Sequence, residues 1–301
     1  METKGQRIVQ NVEDIPPLGH QEAGEMARVE LERFIALLET LAEDDWLKPT
    51  YCTLWNVRQI VSHQAGAYAG FASGAEFRRQ WGPPPQPKPG QMTVDAVNDR
   101  QVADRAQATP AELIAELRQV GSRAIANRQQ IPAFIRGLRF DAEAFLYGWR
   151  PFDILRALRW PYGAITAGTM RLDYITDLIY TRDTWMHRMD ICQATGREMI
   201  LTDDHDGRMM ALVMRDLADL LRDALNGQTV AYDIPGPGGG CWKMGPASTP
   251  AATIQIDLLY FNVLASGRMT PAEARAQGLV SISGNVEAAN LALDHMSPLP
   301  Y

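Results

Sequence analysis

The residues best suited to metal or acid–base chemistry stand in the stretch from Tyr174 to Asp190, where Asp183 and His187 lie four residues apart in a helical pattern. At that spacing two side chains leave one helix face with neighbouring Cβ atoms, and a carboxylate beside an imidazole can share one divalent metal ion. Two ligands hold zinc poorly. A catalytic site usually takes three protein ligands and keeps a fourth position for water or substrate. A third ligand must therefore come from another element. The histidines are His20, His63, His187, His205 and His295, and only His63 joins His187 inside a strongly periodic helical segment, which makes it the first candidate. Each residue also has a plainer role. A histidine on the shoulder of an apolar stripe is more often a hydrogen-bonded packing residue, and an Asp-x-x-x-His pair is more often a solvated, helix-stabilising pair. Asp190 suits either an orienting partner for an imidazole or a solvent-facing charge.

Helices have to position these groups, and the chain supplies them in order. Residues 1–17 end in Ile15-Pro16-Pro17 and read as a poorly ordered arm. A first helix is expected over residues 19–42, with Val29, Phe34, Leu37, Leu38 and Leu41 as its apolar stripe. After a loop through Trp55, Asn56 and Gln59 form a capping box that opens a second helix. Val57, Ile60, Val61 and Tyr68 are its stripe, and His63 lies on the shoulder. Residues 82–90, rich in proline, break the pattern. A third helical region has a short part near residues 94–106 and a long part opened by Thr109-Pro110-Ala111-Glu112, which combines an N-cap, Pro at N1 and a returning carboxylate. Residues 132–170 are less regular and carry Phe145, Tyr147, Trp149, Phe152, Trp160 and Tyr162; these rings suit either the cover of a pocket or a satellite core. A fourth helix, residues 172–195, stops at Gly196. Another is expected over 201–225, capped by Thr202 or Asp203. Strands at 229–233, 253–256 and 279–283 then alternate with helices at 257–266, 270 onward and 285–295. Gly236-Pro-Gly-Gly-Gly240 reads as a hairpin or loop, because strand-like residues and no helix follow it. The expected class is α+β: a four-helix bundle over residues 18–197 and a small α+β domain over 198–301.

Composition narrows the function. The chain has 301 residues, 46% of them hydrophobic, enough to fill a real core, and a net charge of −7 with no basic run. Nucleic acid is a poor partner for such a surface, since binding it requires clustered positive charge. No apolar run approaches the roughly 20 residues that span a bilayer. The first twenty residues lack a signal-peptide apolar core, so a cytoplasmic location is expected. Cys52, Cys192 and Cys241 are far apart in the sequence, which disfavours a disulfide framework or a cysteine zinc ribbon. Neither G-x-S-x-G nor H-E-x-x-H occurs, so serine-hydrolase and metalloprotease readings have no local support.

Four stretches in order carry a resemblance: Trp55 to His63, Val97 to Val102 leading into Thr109–Leu113, Asp183 to Asp190, and Ala265-Ser-Gly-Arg268 followed by Val280-Ser-Ile-Ser-Gly284. Over nearly the whole chain the sequence resembles the mycothiol-dependent maleylpyruvate isomerase family. The resemblance implies a DinB-like bundle binding a divalent metal, usually zinc, through His63, Asp183 and His187, with a C-terminal domain related to sterol-carrier folds. It also implies that Arg268 faces the site as a catalytic residue. Asp183 is one methylene shorter than the glutamate usual at its position, a reach to be absorbed by a small helix shift or a water. The implied activity is mycothiol-dependent. A metal-bound thiolate attacks a small electrophile, and the outcome is thiol transfer or cis–trans isomerisation. Two other readings fit the same bundle: a hydrolase or lyase using metal-bound water, and a non-catalytic binder of small molecules.

Overall fold

The computed structural model describes residues 9–82, 88, 93–141 and 169–296. Most of the proline-rich break and the aromatic residues Phe145 to Tyr162 lie outside the described residues. The chain forms two compact units, residues 18–199 and residues 1–17 together with 200–301. The expected α+β class is borne out.

Strand β1 (Val9–Asn11) comes first, and the helical unit follows. Helix α1 (His20–Leu38) buries Ala27, Leu31, Phe34 and Leu38, whereas Val29, expected in the stripe, is exposed. Helix α2 (Val57–Ala72) opens with the expected capping box: the Asn56 side chain accepts from the Gln59 amide, and the Gln59 side chain accepts from the Asn56 amide. Helix α3 (Gly74–Trp81), which the sequence reading did not separate, starts where the Ser73 hydroxyl accepts from the Glu76 amide. Helix α4 (Thr93–Asp104) leads to α5 (Pro110–Gln129), capped by the expected Thr109–Glu112 box. A short α6 (Ala133–Arg136) precedes an antiparallel pair, β2 (Arg139–Asp141) and β3 (Thr169–Arg171).

The fourth long helix does not run regularly from residue 172. A π-helical segment, Tyr174–Ile179, feeds α7 (Tyr180–Thr195), which ends at Gly196 in the left-handed conformation that glycine adopts without a Cβ penalty. Helix α1 packs on α5 and α7, and α2 packs on the same two, so the four close a ring. Phe34, Leu38, Val57, Ile60, Tyr68, Leu113, Leu117 and Ile191 meet inside it. A buried ion pair, Arg188 Nε to Glu30 Oε1 at 2.7 Å, ties α7 to α1.

The second unit is built on a five-stranded sheet of order β1-β5-β4-β6-β7. Its strands are β1, β4 (Val230–Ile234), β5 (Gly240–Met244), β6 (Ala252–Ile256) and β7 (Val280–Gly284). Strands β4 and β5 form the hairpin that the glycine-rich loop suggested, with Tyr232 opposite Trp242; β4 and β6 are parallel, with Tyr232 opposite Ile254. Those three side chains are buried. Helices α8 (Asp206–Leu225) and α11 (Val286–Asp294) pack on the sheet, while α9 (Leu258–Ala265) and α10 (Pro271–Ala276) join β6 to β7. Two expectations are corrected here. The arm is not loose over residues 9–17: β1 pairs in parallel with β5, Val9 opposite Cys241, and Val12 and Ile15 are buried. Helix α8 starts later than residue 201 and is not capped by Thr202 or Asp203. Instead the Asp206 carboxylate reaches back to accept from the Thr202 amide at 2.7 Å, which holds residues 202–205 as a turn outside the helix.

Candidate metal centre

Helices α2 and α7 face each other in the ring, and their facing sides carry the three expected ligands. His63 Nε2 lies 3.1 Å from Asp183 Oδ2, and His187 Nε2 lies 3.5 Å from Asp183 Oδ1. The two imidazole rings are 5.4 Å apart between centroids and nearly perpendicular. All three side chains are sheltered: 6% of His63, 15% of Asp183 and 1% of His187 is exposed. One nitrogen from each ring and one carboxylate oxygen lie within 4.8 Å of one another. Bonds of about 2.0–2.1 Å in a tetrahedral zinc site put ligand atoms about 3.4 Å apart. The donor set thus fits a divalent cation after a small contraction, and two neutral nitrogens with one carboxylate is a set that zinc takes readily. The shorter reach of aspartate is no obstacle, since Asp183 already meets both rings.

The other atoms of these side chains are held. His187 Nδ1 lies 2.9 Å from Asp190 Oδ2; an ionised carboxylate only accepts, so Nδ1 carries the proton and Nε2 is the lone-pair nitrogen. Asp190 is therefore an orienting partner and not a solvent-facing charge; it is 1% exposed. His63 Nδ1 lies 2.8 Å from Gln101 Oε1 of α4. Gln64 Nε2 donates to Asp183 Oδ2 at 2.5 Å, Thr184 Oγ1 donates to Gln64 Oε1, and Tyr68 meets Thr184 at 3.2 Å. Burial pushes the Asp183 carboxyl up, but the charge that His187 and His63 carry when protonated, with the hydrogen bonds from His63 and Gln64, outweighs it and holds the carboxyl well below the usual range. Asp183 is thus an anion at neutral pH, as a ligand must be.

Trp55 closes one side. Its ring lies 5.0 Å from that of His63 and 6.2 Å from that of His187. The loop that carries it is fixed by the Val57 amide donating to the Lys48 carbonyl and the Thr50 hydroxyl donating to the Trp55 carbonyl. Sequence reasoning named His63, Asp183 and His187 but missed the supporting groups Trp55, Gln64 and Gln101. The available signal was position: Gln64 adjoins His63, and Trp55 adjoins the helix cap. Arg268 lies in the other unit, half-buried in the turn after α9, where its amide donates to the Val263 carbonyl and Gly267 is left-handed. His20 is committed elsewhere, with Nδ1 2.7 Å from Asp177 Oδ2 and Nε2 3.0 Å from the Gln129 carbonyl.

Residues 27–143 match the family model of the mycothiol maleylpyruvate isomerase N-terminal domain. The matched segment contains His63 and ends before Asp183 and His187. Two solved structures are similar over nearly the full length: the mycothiol-dependent maleylpyruvate isomerase, at 13% identity, and a histidine-to-alanine variant of it, at 12%. Each alignment covers 92% of this chain and 98% of the other, with a TM-score of 0.50. At that identity the likeness speaks to the fold. No curated protein sequence matches the chain.

Proposed function

From a chain whose residues 27–143 match the mycothiol maleylpyruvate isomerase N-terminal domain, and which over 92% of its length takes a similar fold to that enzyme, we propose a mycothiol-dependent metalloenzyme acting on a small electrophile. The chemistry is thiol transfer or cis–trans isomerisation. The observation that carries the reading is the convergence of His63 Nε2, the Asp183 carboxylate and His187 Nε2, with both Nδ1 atoms engaged elsewhere.

His63, Asp183 and His187 would hold a divalent metal, which when bound lowers the pKa of a coordinated thiol and so supplies a thiolate at neutral pH. The single carboxylate leaves about half of a 2+ charge uncompensated, which favours an anionic thiolate over a neutral ligand. Gln64 and Asp190 hold Asp183 and His187 in register, and Trp55 shields the imidazole pair from water on its side. Cys192 is unsuited to be the nucleophile: burial pushes its thiol up to about 11, so it stays protonated at neutral pH. In this reading the nucleophile is a low-molecular-weight thiol. In this reading Arg268 meets the carboxylate or developing enolate of the electrophile with a planar pair of donors.

The test is incubation of zinc-loaded protein with mycothiol and a panel of conjugated cis-dicarbonyl acids and alkylating electrophiles, with products read by mass spectrometry. Thiol-dependent isomers or mycothiol adducts are expected. Turnover that is unchanged when mycothiol is omitted, or protein that takes up no metal, overturns the reading.

A further inference from the structure

One charged group of the helical unit is buried without the partner its chemistry demands. Arg128, near the end of α5, is 3% exposed. Its Nη1 donates to the Thr176 carbonyl at 3.2 Å, whereas its Nη2 is buried and has no hydrogen-bond partner among the described residues. Asp177, next to Thr176, is already engaged: Oδ2 lies 2.7 Å from His20 Nδ1 and 3.4 Å from Arg136 Nη1, and Oδ1 accepts from the Thr176 hydroxyl at 3.2 Å. A guanidinium stays ionised in a protein, and a buried charge without a counter-charge is strongly unfavourable. The position calls for an anion.

The surroundings hold the guanidinium without using its free donor. Its carbon stands 5.5 Å from the centroid of the Tyr180 ring and 6.0 Å from that of Phe71, and the two rings meet edge to face at 4.6 Å. Cation–π attraction to two rings fixes the fork in place. The half-buried Tyr180 also makes no hydrogen bond through its phenol to any described residue, and burial pushes that phenol up, so it stays protonated and can donate. Tyr180 and Asp183 are three positions apart on α7, about 4.5 Å along the axis, and so stand on neighbouring turns of one helix face. The Thr176 carbonyl belongs to the π-helical segment before α7, a distortion common at functional sites.

We propose that Arg128, with the Tyr180 hydroxyl beside it, binds the carboxylate of the substrate, which makes the electrophile a short-chain carboxylic acid. The inference rests on the proposed reaction for what the acid does; the anion site itself follows from the unpaired guanidinium. An acid held at Arg128 lies one turn of α7 from the candidate metal ligand Asp183, within reach of a nucleophile bound there.

The experiment is calorimetric titration of the zinc-incubated protein with crotonate, a short conjugated acid, and with crotonamide, its uncharged counterpart of the same shape. Crotonate is expected to bind, and crotonamide to bind about 10–100-fold more weakly, the range expected when hydrogen bonds to a charged group are lost. Arg128→Met keeps a long side chain against Phe71 and Tyr180 and removes the charge; it should weaken crotonate binding by about 10–100-fold. Tyr180→Phe removes only a hydroxyl that the fold does not use, and should weaken it by about 3–10-fold with unchanged circular dichroism. Equal affinity for the two probes, or no binding of crotonate, overturns the proposal. So does wild-type crotonate affinity in either folded variant, and if Arg128→Met does not fold, Tyr180→Phe decides alone. Crotonate bound through Arg128 in a protein that turns over no electrophile with mycothiol leaves the anion site standing and the functional reading fallen. Mycothiol-dependent turnover confined to uncharged electrophiles does the reverse.

Discussion

At the scale of single residues, the ligands and their supports make separable predictions. His187 is a ligand candidate with 1% of its side chain exposed, yet the bundle core is made by Phe34, Leu38, Ile60, Leu113, Leu117 and their neighbours. His187→Ala is therefore expected to lose stoichiometric zinc while keeping the helical circular dichroism of the wild type; loss of helicity would assign the ring a packing role instead. Arg268→Ala is expected to keep full metal occupancy and to lose about 100-fold to 1,000-fold in turnover, the usual cost of removing one charge-assisted donor from a transition state. Arg268→Lys should recover only part of this, because lysine keeps the charge without the planar fork. Wild-type turnover in Arg268→Ala would confine the site to the helical unit. The candidate ligands could be named because i,i+4 spacing and a family pattern both point at them. Gln64 and Gln101 were not, because a neutral amide has no periodicity or charge signature, and its role exists only once α4 and α7 are folded against α2.

At the scale of elements, local chemistry marked helix starts well and long-range packing poorly. The boxes at Asn56–Gln59 and Thr109–Glu112 form as read, and a third forms at Thr270–Glu273, since each depends on residues within one turn. The π-helical segment before α7 depends on tertiary context and left no mark in the sequence. Close approach between α1 and α5 is similar. A Cβ at Gly121 would lie 2.4 Å from Leu31 Cδ2, so Gly121→Ala should cost about 1–3 kcal/mol through overpacking, partly offset by about 1 kcal/mol of helix propensity. Urea denaturation measures the difference, and a more stable variant would show that Leu31 moves aside freely. Helix α3 has a pH signature. The Glu76 carboxyl is lowered from 4.5 to about 2, chiefly by Arg79. A carboxylate lowered on folding contributes its stability in full above the unfolded value and loses it as the pH falls through the folded one. The melting-temperature gap between wild type and Glu76→Gln should therefore be widest above pH 4.5 and close toward pH 2. A gap that does not narrow would mean that Glu76 does not gain its partners on folding.

At the scale of the whole molecule, the first residues belong with the last hundred. The sequence could not show this, because a three-residue strand carries too little pattern to announce a partner more than two hundred positions away. Deleting residues 1–17 should therefore lower the melting temperature of the sheet unit, since it removes β1 and the buried side chains of Val12 and Ile15. Each such aliphatic contributes about 1.5–3 kcal/mol when fully buried. An unchanged thermogram would return those residues to the status of an arm. The same pairing also orders events during synthesis. Residues 9–11 are made before the helical unit, but the strand they pair with, residues 241–243, is made only after that unit. The bundle closes through contacts nearer in sequence and is expected to fold while β1 waits. Until the pairing forms, β5 is an open sheet edge, able to accept the corresponding strand from a neighbouring nascent chain on the same messenger. A strand made before the helical unit is thus protected only after it, and crowded translation is where this pairing is most exposed to exchange between chains.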